Sequence, residues 1–392
     1  METKLKNIRD LYENQLVEGE LDFWLKYGMD LENGGIYTAL DRDGSLLDTD
    51  KSVWFQGRAL WTFATAYEKY GKKEYLDAAT SLLKFIENHC FDKKDGRMYF
   101  RVTNVGVPVV KRIRYFFSET FTIIGFATYA RITNKEEYNT KAYNLLEFVE
   151  KLRTTPGYLI PKFERESRGF GGPMILLNVL SELRNSFPQK KEWIDSYMDR
   201  LLQEVETYFV KDDIQLVLEQ VAVDGSFDKD HFEGRLLNPG HAIEGAWFIM
   251  NEGVQRNRQD LIDLGLKMLD WMWSVGWDEP HGGIIQYRDA LNKSLGEYHQ
   301  DMKFWWPQCE AAIATLMAYS ITHKQKYLDN FYRVNDYIQE HFIDSEFGEW
   351  YGYFHRDGTL ATPIKGNMYK GPFHIPRMYF KCIELIDDIS KK

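Results

Sequence analysis

Cysteine is scarce: three in 392 residues, at Cys90, Cys309 and Cys382, with no Cys-x-x-Cys spacing. That excludes a disulfide framework and a zinc-finger-type site, and the three read as buried reduced thiols. Long apolar runs are missing too, none nearing the roughly 20 residues of a membrane span. The first residues, Met1-Glu2-Thr3-Lys4-Leu5-Lys6-Asn7, lack the apolar segment of a signal peptide, so the cytoplasm is the expected location. Positive charge is in deficit, with 49 Lys and Arg against 59 Asp and Glu, a formal net charge of −10 and a pI near 5.5. Nothing there supports nucleic-acid or anionic-membrane binding. No His-x-x-x-His or His-Glu-x-x-His pairing, no G-x-G-x-x-G after a strand and no Walker motif occurs. Metal, nicotinamide and nucleotide-hydrolysing chemistry are therefore not expected.

Aromatic residues, by contrast, are abundant, at 15% of the chain, with 11 Trp, 24 Tyr and 25 Phe. Part of that excess suits a sugar pocket, where pyranose C–H faces stack on rings; filling a wide helical core accounts for it as well. Hydrophobic residues make up 44%, enough for a large core. The length alone allows two or three domains, but a long period argues for one spanning 1–392.

The recurring unit is an aromatic-rich helix, a break, a second helix and a Gly-rich hairpin. Phe55-Gln56-Gly57-Arg58-Ala59-Leu60-Trp61 opens one helix, Gly71 ends it, and Lys73-Glu74-Tyr75-Leu76 begins its partner. The same order follows Phe117 and Trp306. Four helix starts carry a proline, Pro173, Pro239, Pro307 and Pro376, separated by 66, 68 and 69 residues. Proline belongs at the first helical position, where its missing N–H costs nothing. With the starts near Trp54 and Phe117, six helix pairs emerge. The sixth inner helix, Pro376 to about Ser390, has no helix after it, so the segment from about Leu5 to Lys26 must be its outer partner. A series whose last unit is completed by its first residues closes a ring, which predicts an all-α (α/α)6 barrel. Hairpins at Glu32–Tyr37, Lys94–Phe100, His281–Ile285 and Phe347–Tyr351 are predicted to share one face of it.

The candidate functional residues lie near the starts of inner helices: Arg58, His241 with Glu244, Glu310 after Trp305-Trp306-Pro307, and His374 with Arg377. Helix N-termini favour negative charge, which suits an anionic intermediate. His241 and Glu244 share a helix face, so Glu244 is expected to orient the imidazole or raise its basicity; the plainer alternative is a helix-capping His beside a solvated carboxylate. Arg377, one turn from His374, is expected to depress that imidazole's pKa and to hold an enediolate oxygen. Arg58 four residues after Trp54, and Glu310 four after Trp306, suggest charges beneath stacking platforms; buried Arg–Glu pairs between inner helices fit equally. His281 reads as a hairpin residue. His89, His231, His299, His323, His341 and His355 show no supporting partner at helical spacing.

The runs Asn238-Pro-Gly-His-Ala-Ile-Glu244, Trp305-Trp-Pro-Gln-Cys-Glu-Ala311, Phe55-Gln-Gly-Arg-Ala-Leu-Trp61 and Pro372-Phe-His-Ile-Pro-Arg377 resemble the N-acylglucosamine 2-epimerase family, also called the renin-binding-protein family. The resemblance spans nearly the whole chain. It implies an (α/α)6 barrel, usually a homodimer, interconverting N-acetyl-D-glucosamine and N-acetyl-D-mannosamine without a redox cofactor. Carried over by position, His241 and His374 are the acid/base pair, and Arg58, Glu244, Glu310, Arg377, Trp306 and Trp54 bind the substrate or its intermediate. Inverting a carbon beside a carbonyl needs a proton removed on one face and returned on the other, which two imidazoles supply.

Alternatives within the superfamily are a mannose-type aldose–ketose isomerase and a cellobiose 2-epimerase. The cellobiose enzymes usually carry a further His on the third inner helix, and Gly171-Gly172-Pro173-Met174-Ile175-Leu176-Leu177-Asn178 has none. The Gly-rich, Lys-containing loop of nucleotide-activated members is not found. A non-catalytic sugar-binding barrel and a two-carboxylate glycosidase or lyase, built on Glu244 and Glu310, complete the alternatives.

Overall fold

The inner helices are buried over most of their surface and the outer ones along one stripe, and this difference sorts twelve helices into two rings. The computed structural model describes residues 2–112, 116–157, 159 and 165–391. The inner set is α2 (Val53–Tyr70), α4 (Phe117–Thr133), α6 (Gly171–Ser186), α8 (Pro239–Arg256), α10 (Trp305–Thr322) and α12 (His374–Ser390). In α4 every residue from Ser118 to Ala130 is buried. The outer set is α1 (Glu2–Asn14), α3 (Lys73–His89), α5 (Glu136–Thr154), α7 (Lys191–Tyr208), α9 (Gln259–Gly276) and α11 (Gln325–Tyr337). Their buried residues fall at helical spacing, as in Tyr75, Ala78, Ala79, Leu82, Leu83 and Ile86 of α3.

Successive inner helices are neighbours from α2 through α12, and α12 packs on α1. The seam between α12 and α2 is closed by side chains: the Thr62 hydroxyl donates to the Pro372 carbonyl at 2.6 Å, and Trp61 meets Phe373 edge-on at 5.3 Å. In the outer ring the Tyr12 hydroxyl donates to Asn335 on α11 at 2.9 Å. The first helix thus completes the last unit, as its position predicts. It runs beyond the expected Leu5–Lys26, continuing α1 through wide π turns at Gln15–Leu21 and Trp24–Gly28. Within the first of these turns the Gly19 carbonyl also accepts the Glu349 N–H at 3.3 Å.

Pro239 alone occupies the first helical position. Pro173, Pro307 and Pro376 stand third in helices that start at Gly171, Trp305 and His374, which corrects the expected boundaries by two residues. The physical requirement is met either way, because none of the first four N–H groups has an intrahelical partner. At the far end, α2, α4, α8 and α10 each stop on a left-handed residue, Gly71, Asn134, Asn257 and His323, and a tight turn leads to the outer helix.

The hairpin segments all join the end of an outer helix to the start of an inner one, so they gather where the inner helices begin. The predicted strands reduce to single bridges, Met29 with Ile36, Phe91 with Met98, Trp277 with Ile284 and Ile343 with Trp350. Two- and three-residue strands follow them, such as Ala39–Leu40 with Leu46–Asp48. Gln56 and Gln308 lock these loops to α2 and α10: each side-chain oxygen accepts the N–H, and each amide donates to the C=O, of Ile36 or Ile284. A buried lysine secures three of them. Lys51 donates to Asp30 (2.7 Å), Gly34 O (2.7 Å) and Asn104 O (2.9 Å); Lys303 reaches Asp278 and Lys365 reaches Asp344. None of the three ammonium-bearing side chains is exposed. Among the described residues no helix is long and apolar enough to cross a membrane, and all three cysteines are buried and unpaired.

Burial opposes ionisation of Asp30, but the Lys51 ammonium and the Asn33 N–H prevail and bring its carboxyl down to about 2. A carboxyl depressed on folding contributes stability above its unfolded pKa of about 3.9, lost as pH falls toward the folded value. Lys51→Met strands the Asp30 charge and is expected to cost about 3–5 kcal/mol in denaturant unfolding. The wild-type melting midpoint should drop between about pH 4 and pH 2, and the variant's midpoint should drop less, since it has already lost the pair.

Candidate active site

The starts of α8, α10 and α12 face one another, and their first turns carry most of the predicted polar residues. Asn238 caps α8 by accepting the His241 N–H at 3.2 Å. Gly240 lets Trp306 lie against this turn, because a Cβ there would stand 2.5 Å from the indole. Trp306 in turn touches both imidazoles, with ring centroids 5.1 Å from His241 and 5.9 Å from His374. The two histidines, 133 positions apart in sequence, therefore flank one aromatic ring.

Each imidazole is held through Nδ1 by a carboxylate. For His374 it is Glu310, at 2.7 Å. For His241 it is Glu219, whose two oxygens lie at 3.0 and 3.2 Å. This corrects the expectation that Glu244 orients His241: Glu244 instead pairs with Arg377 on α12. A residue three positions on shares the helix face, but at the first turn of an inner helix that face points across the barrel, toward the cation. Glu219 was missed because it lies in the hairpin region, 22 residues before His241. Its one sequence signal is a lone charge in the apolar run Leu216-Val-Leu-Glu-Gln-Val-Ala222.

Arg377 joins three inner helices. Its Nη2 donates to Glu244 of α8 and, at 2.7 Å, to Glu310 of α10. Glu310 also accepts the Trp247 indole N–H at 2.8 Å. The guanidinium is almost fully enclosed, 4.7 Å from the Phe373 ring, and its Nε and Nη1 have no protein acceptor among the described residues. Glu244, Glu310 and His374 each bring one potential ligand atom within 4.8 Å of the others. Arg377 already supplies the positive charge between those carboxylates, so a divalent ion would compete with it there.

Arg58 is half-buried. Its Nη1 donates to the Tyr369 carbonyl at 3.1 Å and its guanidinium lies 4.0 Å from the Phe121 ring and 5.7 Å from Trp54. Burial lowers its pKa to about 9, against the pull of Glu244, so it stays cationic at neutral pH. Trp54 is 8% exposed and hemmed in by Phe100, Phe117, Phe121 and Tyr369. It forms part of the wall, with little free face. Glu310 does not sit as a free charge under Trp306, being engaged with His374, Arg377 and Trp247.

The two imidazoles differ electrically. Burial lowers the His374 pKa well below the usual imidazole range, and the Arg377 charge pushes it further, as the sequence predicts. Burial also works against protonation of His241, but the charge and hydrogen bond of Glu219, with Glu244 and Glu310 behind, outweigh it and raise its pKa. At neutral pH one ring is a proton acceptor and its neighbour is biased toward the donor form. His281 is an exposed turn residue, as expected. His231 does have a partner, Asp228 at 2.7 Å three positions before it.

A sequence profile described as N-acylglucosamine 2-epimerase (GlcNAc 2-epimerase) matches residues 34–372. The chain is 36% identical to N-acylglucosamine 2-epimerase of Bos taurus, covering 96% of this chain and 92% of that protein. It is 33% identical to the enzyme of the same name from Homo sapiens, covering 93% and 87%. A cellobiose 2-epimerase from Ruminococcus albus is 27% identical over 95% of this chain and 96% of its own. Among solved structures, cellobiose 2-epimerase from Spirochaeta thermophila superposes with a TM-score of 0.85 at 23% identity, covering 99% and 98% of the two chains.

Arg377→Met removes the cation beside His374 and leaves Glu244 and Glu310 without their common partner. The His374 titration midpoint, followed by proton NMR of the ring C–H signals, is expected to rise, and unfolding free energy to fall by about 3–5 kcal/mol. Arg377→Lys keeps the charge and should leave His374 depressed; a His374 midpoint unmoved in the Met variant contradicts the assigned cause.

Proposed function

The chain belongs to the N-acylglucosamine 2-epimerase family, and on that premise we propose that it interconverts N-acetyl-D-glucosamine and N-acetyl-D-mannosamine, with His241 and His374 as the two proton-transfer groups. The protein is a carbohydrate epimerase. The observation that carries the assignment of roles is the pair of imidazoles against one indole, each tied by Nδ1 to a carboxylate. An Nδ1–H donated to a carboxylate leaves Nε2 as the working atom, a lone pair in the neutral ring and a proton in the charged one.

In the proposed cycle the sugar opens to its aldehyde form, and the neutral imidazole of His374 takes the C2 proton. The electrons of the C–H bond form the C1–C2 double bond, and those of the carbonyl move onto O1, giving an enolate anion with the acetamido group on C2. Arg58 and Arg377 carry buried N–H groups with no protein acceptor among the described residues, and such donors stabilise charge developing on oxygen in a dry site. His241 then delivers a proton to the opposite face of C2 and the carbonyl re-forms. Configuration at C2 is inverted, and no electron leaves or enters the sugar overall. The reverse reaction exchanges the two roles. Trp306, packed on both rings, limits their swing.

Cytoplasmic location and a homodimeric state belong to the same proposal. Sedimentation analysis should then give about twice the 46.3 kDa chain mass.

Incubation of N-acetylglucosamine with the protein in heavy water is expected to yield N-acetylmannosamine bearing deuterium at C2. His241→Ala and His374→Ala should each lower kcat by roughly 10²–10⁴-fold, the usual worth of a positioned acid or base, with melting temperature measured alongside. Ketose formation from mannose with no N-acetylmannosamine would favour isomerisation. Retained turnover in both variants would remove the two histidines from the mechanism.

A further inference from the structure

Glu219 is the one carboxylate at this site that no inner helix supplies. Its backbone is fixed on both sides: the Phe170 N–H donates to its carbonyl at 2.9 Å, and its own N–H donates to the Leu236 carbonyl at 3.4 Å. The neighbouring ladder pairs Ser167–Gly169 with Gln220–Ala222, so the residue is held between the approaches to α6 and α8. Its side chain is 19% exposed. His241 is the one cationic partner within ion-pair distance among the described residues. Glu310, which plays the matching part for His374, is shared with Arg377 and Trp247.

That contrast separates the two imidazole–carboxylate pairs. The charge of Glu310 is spent largely on a guanidinium that also repels a proton from His374. The charge of Glu219 is directed at His241 alone. The other groups bearing on His241 are Glu244 from its own helix, Glu310 from α10 and His374 from α12. The first two already face Arg377, and the third is disfavoured from protonation by burial and, after it, by the same cation. Trp306 packs against the same imidazole with ring centroids 5.1 Å apart.

We propose that Glu219 is a positioning residue for His241: it accepts the Nδ1 proton, fixes the tautomer that presents Nε2 as the reactive atom, and holds the charged imidazolium so that His241 starts the cycle as the proton donor. The catalytic part rests on the epimerase reading above; the effect on the imidazole does not. Substituting an uncharged group leaves the ring in place and removes the reason for it to be charged.

The test compares Glu219→Gln and Glu219→Ala with wild type in two ways. Nitrogen-15 NMR of labelled protein without substrate reads the titration midpoint and tautomer of His241. Both variants are expected to lower the midpoint, and the alanine variant to lose the preference for Nδ1–H. Steady-state kinetics read the second effect: kcat falls by at least about 10-fold and by up to roughly 10⁴-fold, the cost of removing the carboxylate charge that orients a catalytic imidazole, while KM changes less. The alkaline limb of the kcat profile moves to lower pH, because His241 loses its proton earlier. Unchanged His241 titration and tautomer in both variants overturn the proposal, whatever the activity. Shifted NMR parameters with no change in kcat or its alkaline limb overturn the catalytic part. Absence of turnover in wild type would count against the epimerase reading, and the NMR arm would still decide the Glu219–His241 linkage. Melting temperature accompanies each variant, and Glu219→Gln, nearly the same shape, separates charge from packing.

Discussion

The guanidinium of Arg377 is what the mouth of this barrel is built around. Three inner helices, α8, α10 and α12, send acidic or cationic side chains to one point, and without a cation there Glu244 and Glu310 would face each other in a poorly hydrated space. Opposite unit charges 4 Å apart attract by about 4 kcal/mol at an effective dielectric of 20, and desolvation takes back much of that. The value of the cluster therefore lies in geometry more than in net stability. It ties α12 to two partners at the height where His374 emerges, and its cation adds to burial in disfavouring protonation of that ring. Across the whole site, Glu219, Glu244 and Glu310 stand against Arg58 and Arg377. The excess is one negative charge, which a protonated His241 neutralises.

Much of this was legible in the sequence because it is periodic or local. Proline spacing and the recurring order of helix, break, helix and hairpin were enough to derive a ring of paired helices. The functional side chains fell where that architecture brings inner-helix starts together. The structure adds what spacing cannot carry. Glu244 and His241 share a helix face, yet their partners come from α12 and from a hairpin, and no local rule chooses between a neighbour three residues on and a carboxylate brought in by another segment. The buried Lys51–Asp30, Lys303–Asp278 and Lys365–Asp344 pairs were likewise invisible, since a lysine in a polar loop looks solvated until the fold encloses it. The first π turn of α1 meets Gly348-Glu349, more than three hundred residues away, a contact that no local pattern announces.

The two ends of the barrel obey different constraints. At one end, short left-handed turns link helix to helix with few residues to spare. At the other, loops anchored by Gln56 and Gln308 amides and by enclosed lysines form a rim around the two candidate imidazoles. Glu219 belongs to this rim and not to the helical ring. The chemistry thus draws on both layers, one imidazole being served by a helix-borne carboxylate and the other by a rim-borne one.

Closure of the ring by α1 also bears on how the polypeptide matures on the ribosome. The groove that α1 fills on α12 does not exist until the last inner helix has been synthesised, so a nascent chain holding five finished units is an open horseshoe with an uncovered apolar edge at each side. Sticky intermediates of that kind are what chaperones retain in large proteins. Because His374 and Arg377 arrive with α12, the candidate site and the sealed barrel come into being in the same step.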